Sequence, residues 1–151
     1  MALSIQPLKS LPEHIPLVAM WCSSTWGHLS GLSAADYESW LHKRLSPDEF
    51  GDFWVALWDG KPVGCVQLTT WHITEKKNPI PALANLYVAP QNRKQHIGRK
   101  LCNHVEASAK AEYLDVLYLI ADDGIENYYL NLGWKKDGED GDKSIFIKHL
   151  S

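Results

Sequence analysis

Between positions 82 and 120 the hydrophobic pattern changes period twice, and no other stretch restricts the fold as much. Residues 82–88 form a short apolar run stopped by Pro90, which reads as a strand. Residues 91–96 are polar throughout. Ile97, Leu101, Val105 and Ala109 then recur every fourth residue, the apolar stripe of an amphipathic helix. Residues 116–120 are wholly apolar, as in a strand at the centre of a sheet. A strand, a helix and a buried strand in succession predict a mixed α/β sheet with helices on its faces.

The flanking segments extend this pattern. Leu3 and Ile5 alternate with Ser4 and Gln6 as in a half-buried first strand. Pro12 opens a helix with Ile15, Ala19, Cys22 and Trp26 on one face, expected to stop at Gly27. Ser33 and Asp36 form a capping box before a second helix carrying Tyr37, Trp40 and Leu41. Residues 53–58 and 62–71 are two strand-like runs about Asp59-Gly60, strong hairpin-turn chemistry. Residues 76–81 are polar and proline-marked, a loop. Ile125, Tyr128, Tyr129 and Leu132 make a further helical stripe closed by Gly133. Residues 134–136 and 144–148 complete a terminal hairpin around Asp140-Gly141. The expected order is β-α-α-β-β-β-α-β-α-β-β, in a single domain over residues 1–151.

Composition narrows the class. A net charge of −3 opposes general nucleic-acid binding. No run approaches the roughly 20 apolar residues of a membrane span, and the N-terminus lacks the pattern of a secretory signal. Cys22, Cys65 and Cys102 are odd in number and far apart, so buried free thiols in a reducing cytoplasmic setting are expected, not disulfides or zinc. The seven histidines show no metal-ligand spacing, so no metal is expected. Seven tryptophans imply an aromatic-rich core, with some available to line a pocket.

The polar loop has a chemistry of its own. It leads from a strand into a helix start, where backbone amides lack intrahelical partners and the helix dipole is positive. Arg93, Lys94, Arg99 and Lys100 add charge there, and Gly98 permits close approach of a ligand to the backbone. A phosphate or pyrophosphate suits such a place; a solvated basic helix start that binds nothing suits it equally on composition alone. The loop contains neither a P-loop nor a dinucleotide fingerprint.

Leu86-Tyr87-Val88-Ala89-Pro90 followed by Arg93-Lys94-Gln95-His96-Ile97-Gly98-Arg99-Lys100 resembles motif A of the GNAT (GCN5-related N-acetyltransferase) family, in which a strand ends in LYV-x-P and [QR]-x-x-G-x-[GA] opens a helix. The resemblance implies a GNAT fold with acetyl-CoA as cosubstrate. Residues 94–100 would cradle its diphosphate, with Arg93 at the first motif position. Leu86, Tyr87 and Val88 would hydrogen-bond the pantetheine arm through their backbones. His96 departs from the pattern, standing where the family has glycine. Its side chain would crowd the diphosphate or force another backbone angle, or instead offer a phosphate an imidazole donor.

A second stretch, Tyr128-Tyr129 before Gly133-Trp134, is similar to the family's aromatic-Tyr-x-x-x-Gly-aromatic motif. The match puts Tyr129 where the family has its general acid, protonating the departing CoA thiolate. Without it both tyrosines read as core aromatics. Asp122 or Asp123 stands where many members carry asparagine and reads by default as a helix cap. The resemblance runs from Phe53 onward, about two thirds of the chain.

By the same resemblance, the amine acceptor meets the first two helices and the loop after the third strand. Trp26 and Trp71 are candidates for an aromatic wall there, His72 or Glu75 for a base, and Asn85 for orienting a water or the substrate. A backbone amide near Leu86 or Tyr87 would stabilise an oxyanion. The acceptor expected is a small-molecule or peptide amine, with no nucleic-acid or membrane partner and a homodimer open. The reaction expected is direct acetyl transfer to a primary amine. The alternative, raised by His96, is a catalytically weak or inactive module of the same fold that binds CoA or another anion.

Overall fold

The computed structural model describes residues 2–72, 77–121 and 125–150. Seven strands form one mixed sheet: β1 (Leu3–Pro7), β2 (Asp52–Trp58), β3 (Lys61–Trp71), β4 (Ile80–Val88), β5 (Val116–Ala121), β6 (Lys135–Asp140) and β7 (Lys143–His149). Their spatial order is β1-β2-β3-β4-β5-β7-β6. Only the β4–β5 pair, at Ala82–Tyr118, is parallel, as the helical crossover between them requires. The helices are α1 (Ile15–Ser30), α2 (Ala34–Arg44), α3 (Ile97–Ala111) and α4 (Glu126–Asn131), in the order expected from the sequence.

Alternation along the strands divides the core between the two faces of the sheet. On β2, Phe53 and Val55 pack with α1 and α2, whereas Trp54 and Ala56 pack with α3. On β5, Leu117, Leu119 and Ala121 face α3, and Tyr118 joins Ile80 and Ile145 in a separate cluster. Helix α3 presents Ile97, Leu101, Val105 and Ala109, the stripe visible in its sequence, all buried. The three cysteines are free and buried.

Local chemistry explains the turns. Asp59 and Gly60 both adopt positive φ, 48° and 83°, the geometry whose twist matches a tight hairpin. Ser33 Oγ accepts from the Asp36 amide at 3.1 Å and Asp36 Oδ2 accepts from the Ser33 amide at 2.9 Å, closing the capping box. Helix α1 does not stop at Gly27. It continues to Ser30 and ends at Gly31, which takes φ 75° while its amide donates to the Gly27 carbonyl at 2.7 Å. A β-carbon at Gly27 would approach the Leu32 carbonyl to 3.0 Å, so this glycine makes room for the returning chain. In the last hairpin Asp140 pairs with Lys143, which makes Gly141 and Asp142 the turn, one position beyond the expected centre.

Two features of the sheet shape the functional region. Between Cys65 and Gln67 the β3–β4 register slips, so Asn85 and Leu86 together stand opposite Val66, a bulge with Asn85 at φ 55°. At the far side, β7 anchors α4, a helix too short to be stable alone. Ser144 Oγ donates to Glu126 Oε1 at 3.1 Å at its start, and Lys148 Nζ donates to the Leu132 carbonyl at 2.8 Å at its end. Lys148 also pairs with Glu106 of α3 at 3.0 Å, with both side chains largely buried. Replacing Lys148 by Met leaves a partly buried carboxylate and a helix-end carbonyl without their donor. Urea unfolding should register a loss of about 1–3 kcal/mol, part of which returns in the Lys148→Met/Glu106→Gln double variant.

Candidate active site

Two clefts meet beside the β4 bulge. The first, about 700 Å³, is bounded by Leu86, Tyr87 and Val88 of β4, by the loop entering α3, and by Tyr128, Tyr129 and Leu132 around α4. The second, about 490 Å³, lies among α1, the end of β3, β4 and β5. Thr25, Leu86, Ile125 and Tyr129 line both.

In the first cleft the backbone is arranged to meet an anion. Lys94 and His96 adopt positive φ, 66° and 63°, and turn the chain end-on into α3. The first regular bond of that helix runs from the Lys100 amide to the His96 carbonyl at 3.1 Å. The amides of Ile97, Gly98 and Arg99 therefore precede any intrahelical acceptor, at the positive end of the dipole. Lys94, His96 and Arg99 line the same space. Gln95 and Lys100, expected with them, are exposed and absent from its described lining. Arg93 lines the cleft but also clasps β4: its Nε donates to the Val88 carbonyl at 2.9 Å, and its guanidinium lies 5.7 Å from the Tyr87 ring centroid. The Tyr87 ring in turn packs on Trp21 of α1 at 5.1 Å.

Of the possibilities at His96, the backbone angles bear on one. Its φ of 63° and ψ of 19° are the left-handed conformation for which glycine is best suited. The histidine therefore keeps the loop's course and carries the strain of a β-carbon there. His96→Gly should raise unfolding free energy by about 0.5–1 kcal/mol in urea titration.

Tyr128 is half-exposed and lines the first cleft, so it is not the core aromatic that helical spacing alone suggests. Its ring meets Tyr129 edge to face at 5.2 Å. A β-carbon at Gly98 would overlap its hydroxyl, so Gly98 is what allows the phenol to reach the helix start. Tyr129 is more buried and also packs against Phe146 at 6.1 Å. Burial, with Cys102 and Tyr128 nearby, raises its phenol above the usual value near 10.

Trp26, Trp71 and Asn85 come together in the described lining of the second cleft. His72 is exposed and lies outside that lining. Glu75, Asp122 and Asp123 fall outside the described residues. Asn85 Nδ2 donates to Oε1 of the buried Gln67 at 2.8 Å. Gln67, Thr25, Ile125 and Lys143 were not singled out from sequence. For Thr25 the available signal was its place beside Trp26 on a helix, and for Gln67 a lone amide within an apolar strand. Among the described residues, no group of three or more His, Cys, Asp or Glu is arranged to hold a metal, and no helix is long and apolar enough to cross a membrane.

Comparison with known proteins agrees with this architecture. Residues 49–136 match the family described as acetyltransferase (GNAT) domain. No curated protein sequence matches the chain. Among solved structures it resembles a GNAT-family acetyltransferase of Staphylococcus aureus, with 21% identity, 99% of this chain and 100% of that one covered, and a TM-score of 0.73. It also resembles the PaiA N-acetyltransferase of Thermoplasma acidophilum in complex with coenzyme A (20%, 99% and 99%, 0.66). A third is an aminoglycoside 6'-N-acetyltransferase complexed with coenzyme A (18%, 100% and 98%, 0.76). These identities establish a shared fold, and the domain match over more than half the chain establishes the family. The chain belongs to the GNAT acetyltransferases.

The Gly98–Tyr128 contact makes a direct test of the site's packing. Gly98→Ala should lower stability by about 1–3 kcal/mol. Adding Tyr128→Phe should restore most of it in thermal melts, because the nearest remaining ring atom would lie 3.5 Å from the new methyl.

Proposed function

We propose that the chain is an N-acetyltransferase that moves the acetyl group of acetyl-CoA to a primary amine by direct attack. The observation carrying this reading is the meeting of the two clefts at Leu86 and Tyr129: one lined by a basic helix start, the other by aromatic side chains. Acetyl-CoA supplies an activated thioester, and the first cleft fits its shape and charge. The amides of residues 97–99, with Lys94 and Arg99, face a diphosphate, and His96 adds an imidazole donor beside them. The backbone of Leu86–Val88 pairs with the pantetheine arm, and an amide at Leu86 or Tyr87 stabilises the oxyanion.

Tyr129 then acts on the leaving sulfur. Its raised proton affinity keeps the phenol in the donor form at physiological pH. Because a thiolate is a weaker base than this phenolate, its contribution is a hydrogen bond that strengthens as charge develops on sulfur, and the proton released by the acceptor amine balances the departing thiolate. A covalent acyl-cysteine route finds no support in the thiols: burial pushes Cys102 up to about 12 and raises Cys65 well above the ordinary range. The alternative, an inactive module that binds CoA or another anion, is disfavoured on one of its two grounds, since the His96 backbone is left-handed as a glycine would allow.

A thiol-release assay with acetyl-CoA and a panel of amines tests the reading. Tyr129→Phe should lower kcat about 100-fold or more while changing acetyl-CoA affinity little. The wild type should show no Tyr129-dependent fall in kcat below pH 10, because the acid form persists until pH passes the folded-state value. Unchanged kcat in Tyr129→Phe would remove the acid role.

A further inference from the structure

We infer that the acceptor is a monoamine on a flat apolar body, of the arylalkylamine class. This rests on the N-acetyltransferase reading above and specifies what the second cleft accepts. The cleft has two chemically different ends. Next to Tyr129 and Leu86 it presents Asn85, whose Nδ2 is engaged by the buried Gln67. That leaves Asn85 Oδ1 as the amide atom able to accept a hydrogen bond from an amine, with the amide's orientation fixed from behind.

Away from that end the described lining sets aromatic and aliphatic side chains beside the polar side chains of His28 and Lys143. Trp26 and Trp71 each line the cleft. Each is also packed into a core, Trp26 into the α1–α2 cluster and Trp71 onto Ile80, Tyr118 and Ile145. The indoles are thus held rigid by the structure and offer apolar surface to a ligand at little ordering cost. Leu29 and Ile120 extend this surface. A flat apolar body gains contact along it. Against the indoles and these aliphatic side chains an additional ammonium or hydroxyl group would lose its water without gaining a partner, a cost that an apolar body avoids. The aminoglycoside-acetylating structure among the neighbours shares 18% identity, which speaks for the fold and not for the substrate.

The test uses the full chain in the thiol-release assay with acetyl-CoA and 2-phenylethylamine, tryptamine, spermidine, kanamycin and a lysine-containing peptide. The arylalkylamines should show kcat/KM at least tenfold above the polar acceptors. Trp26→Leu and Trp71→Leu, checked for folding by circular dichroism, should each raise the arylalkylamine KM about tenfold and leave the acetyl-CoA KM nearly unchanged. Asn85→Gly, which keeps the left-handed backbone, should lower kcat/KM for the same amines. Preference for spermidine, kanamycin or the peptide overturns the acceptor class and leaves the acetyltransferase reading intact. If no amine turns over, calorimetry of tryptamine into the CoA-saturated protein decides. Binding weakened by Trp71→Leu supports the cleft assignment while removing the catalytic reading, and absence of binding overturns both.

Discussion

Asn85 and Leu86 share one position opposite β3, and both clefts depend on that extra residue. Side chains on a strand alternate faces, so one inserted residue reverses the facing of everything beyond it. Through the bulge, Asn85 reaches the second cleft and Leu86–Val88 the first. The distortion is held in place by its neighbours. Gln67, buried on β3, accepts from the Asn85 amide, and Cys65 Sγ donates weakly to the Asn85 carbonyl at 3.4 Å. Asparagine is among the side chains that best tolerate a left-handed backbone, so the residue that takes the strain can also face a ligand.

The second constraint lies at the end of the chain. Tyr129 sits on a six-residue helix whose two ends are tied to β7 by Ser144 and Lys148. Those ties exist because β7, and not β6, is the strand beside β5. The sequences account for this order. Strand β7 buries Ser144, Ile145 and Phe146, whereas β6 is Lys-Lys-Asp-Gly-Glu-Asp and belongs at a solvated edge. Tyr129 is therefore placed by a strand that follows it in the chain.

These two constraints also mark where sequence reading succeeds and where it stops. The order of elements is legible because each has a strong local cause, such as the stripe at Ile97, Leu101, Val105 and Ala109, the box at Ser33 and Asp36, or the turn at Asp59-Gly60. The loop entering α3 is legible for the same reason, since a helix start surrounded by basic residues is local. The choice between Gly27 and Gly31 as the end of α1 is not, because either glycine can stop a helix and the returning chain at Leu32 decides. Nor is the role of Tyr128, whose helical spacing fits a core position until Gly98 is seen opposite its hydroxyl. His72 lies outside the described lining for a related reason: adjacency to Trp71 in sequence does not place it on the same wall. Long-range pairing carries the information that these residues lack.

His96 shows how a departure from a family pattern should be weighed. Glycine at that motif position meets a demand on φ, and the chain meets it at 63° with a histidine and again at 66° with Lys94. Each left-handed non-glycine residue costs about 1–2 kcal/mol. A charge-assisted hydrogen bond to an anion is worth about 1.5–3 kcal/mol, so a few contacts from this loop outweigh the strain. The strained turn is held at both flanks, Arg93 onto the Val88 carbonyl and Gly98 against Tyr128. The substitution therefore moves the question from backbone to side chain. An imidazole beside Lys94 and Arg99 adds a third nitrogen donor toward the cleft when protonated at that nitrogen, and it does so without altering the path of the amides behind it.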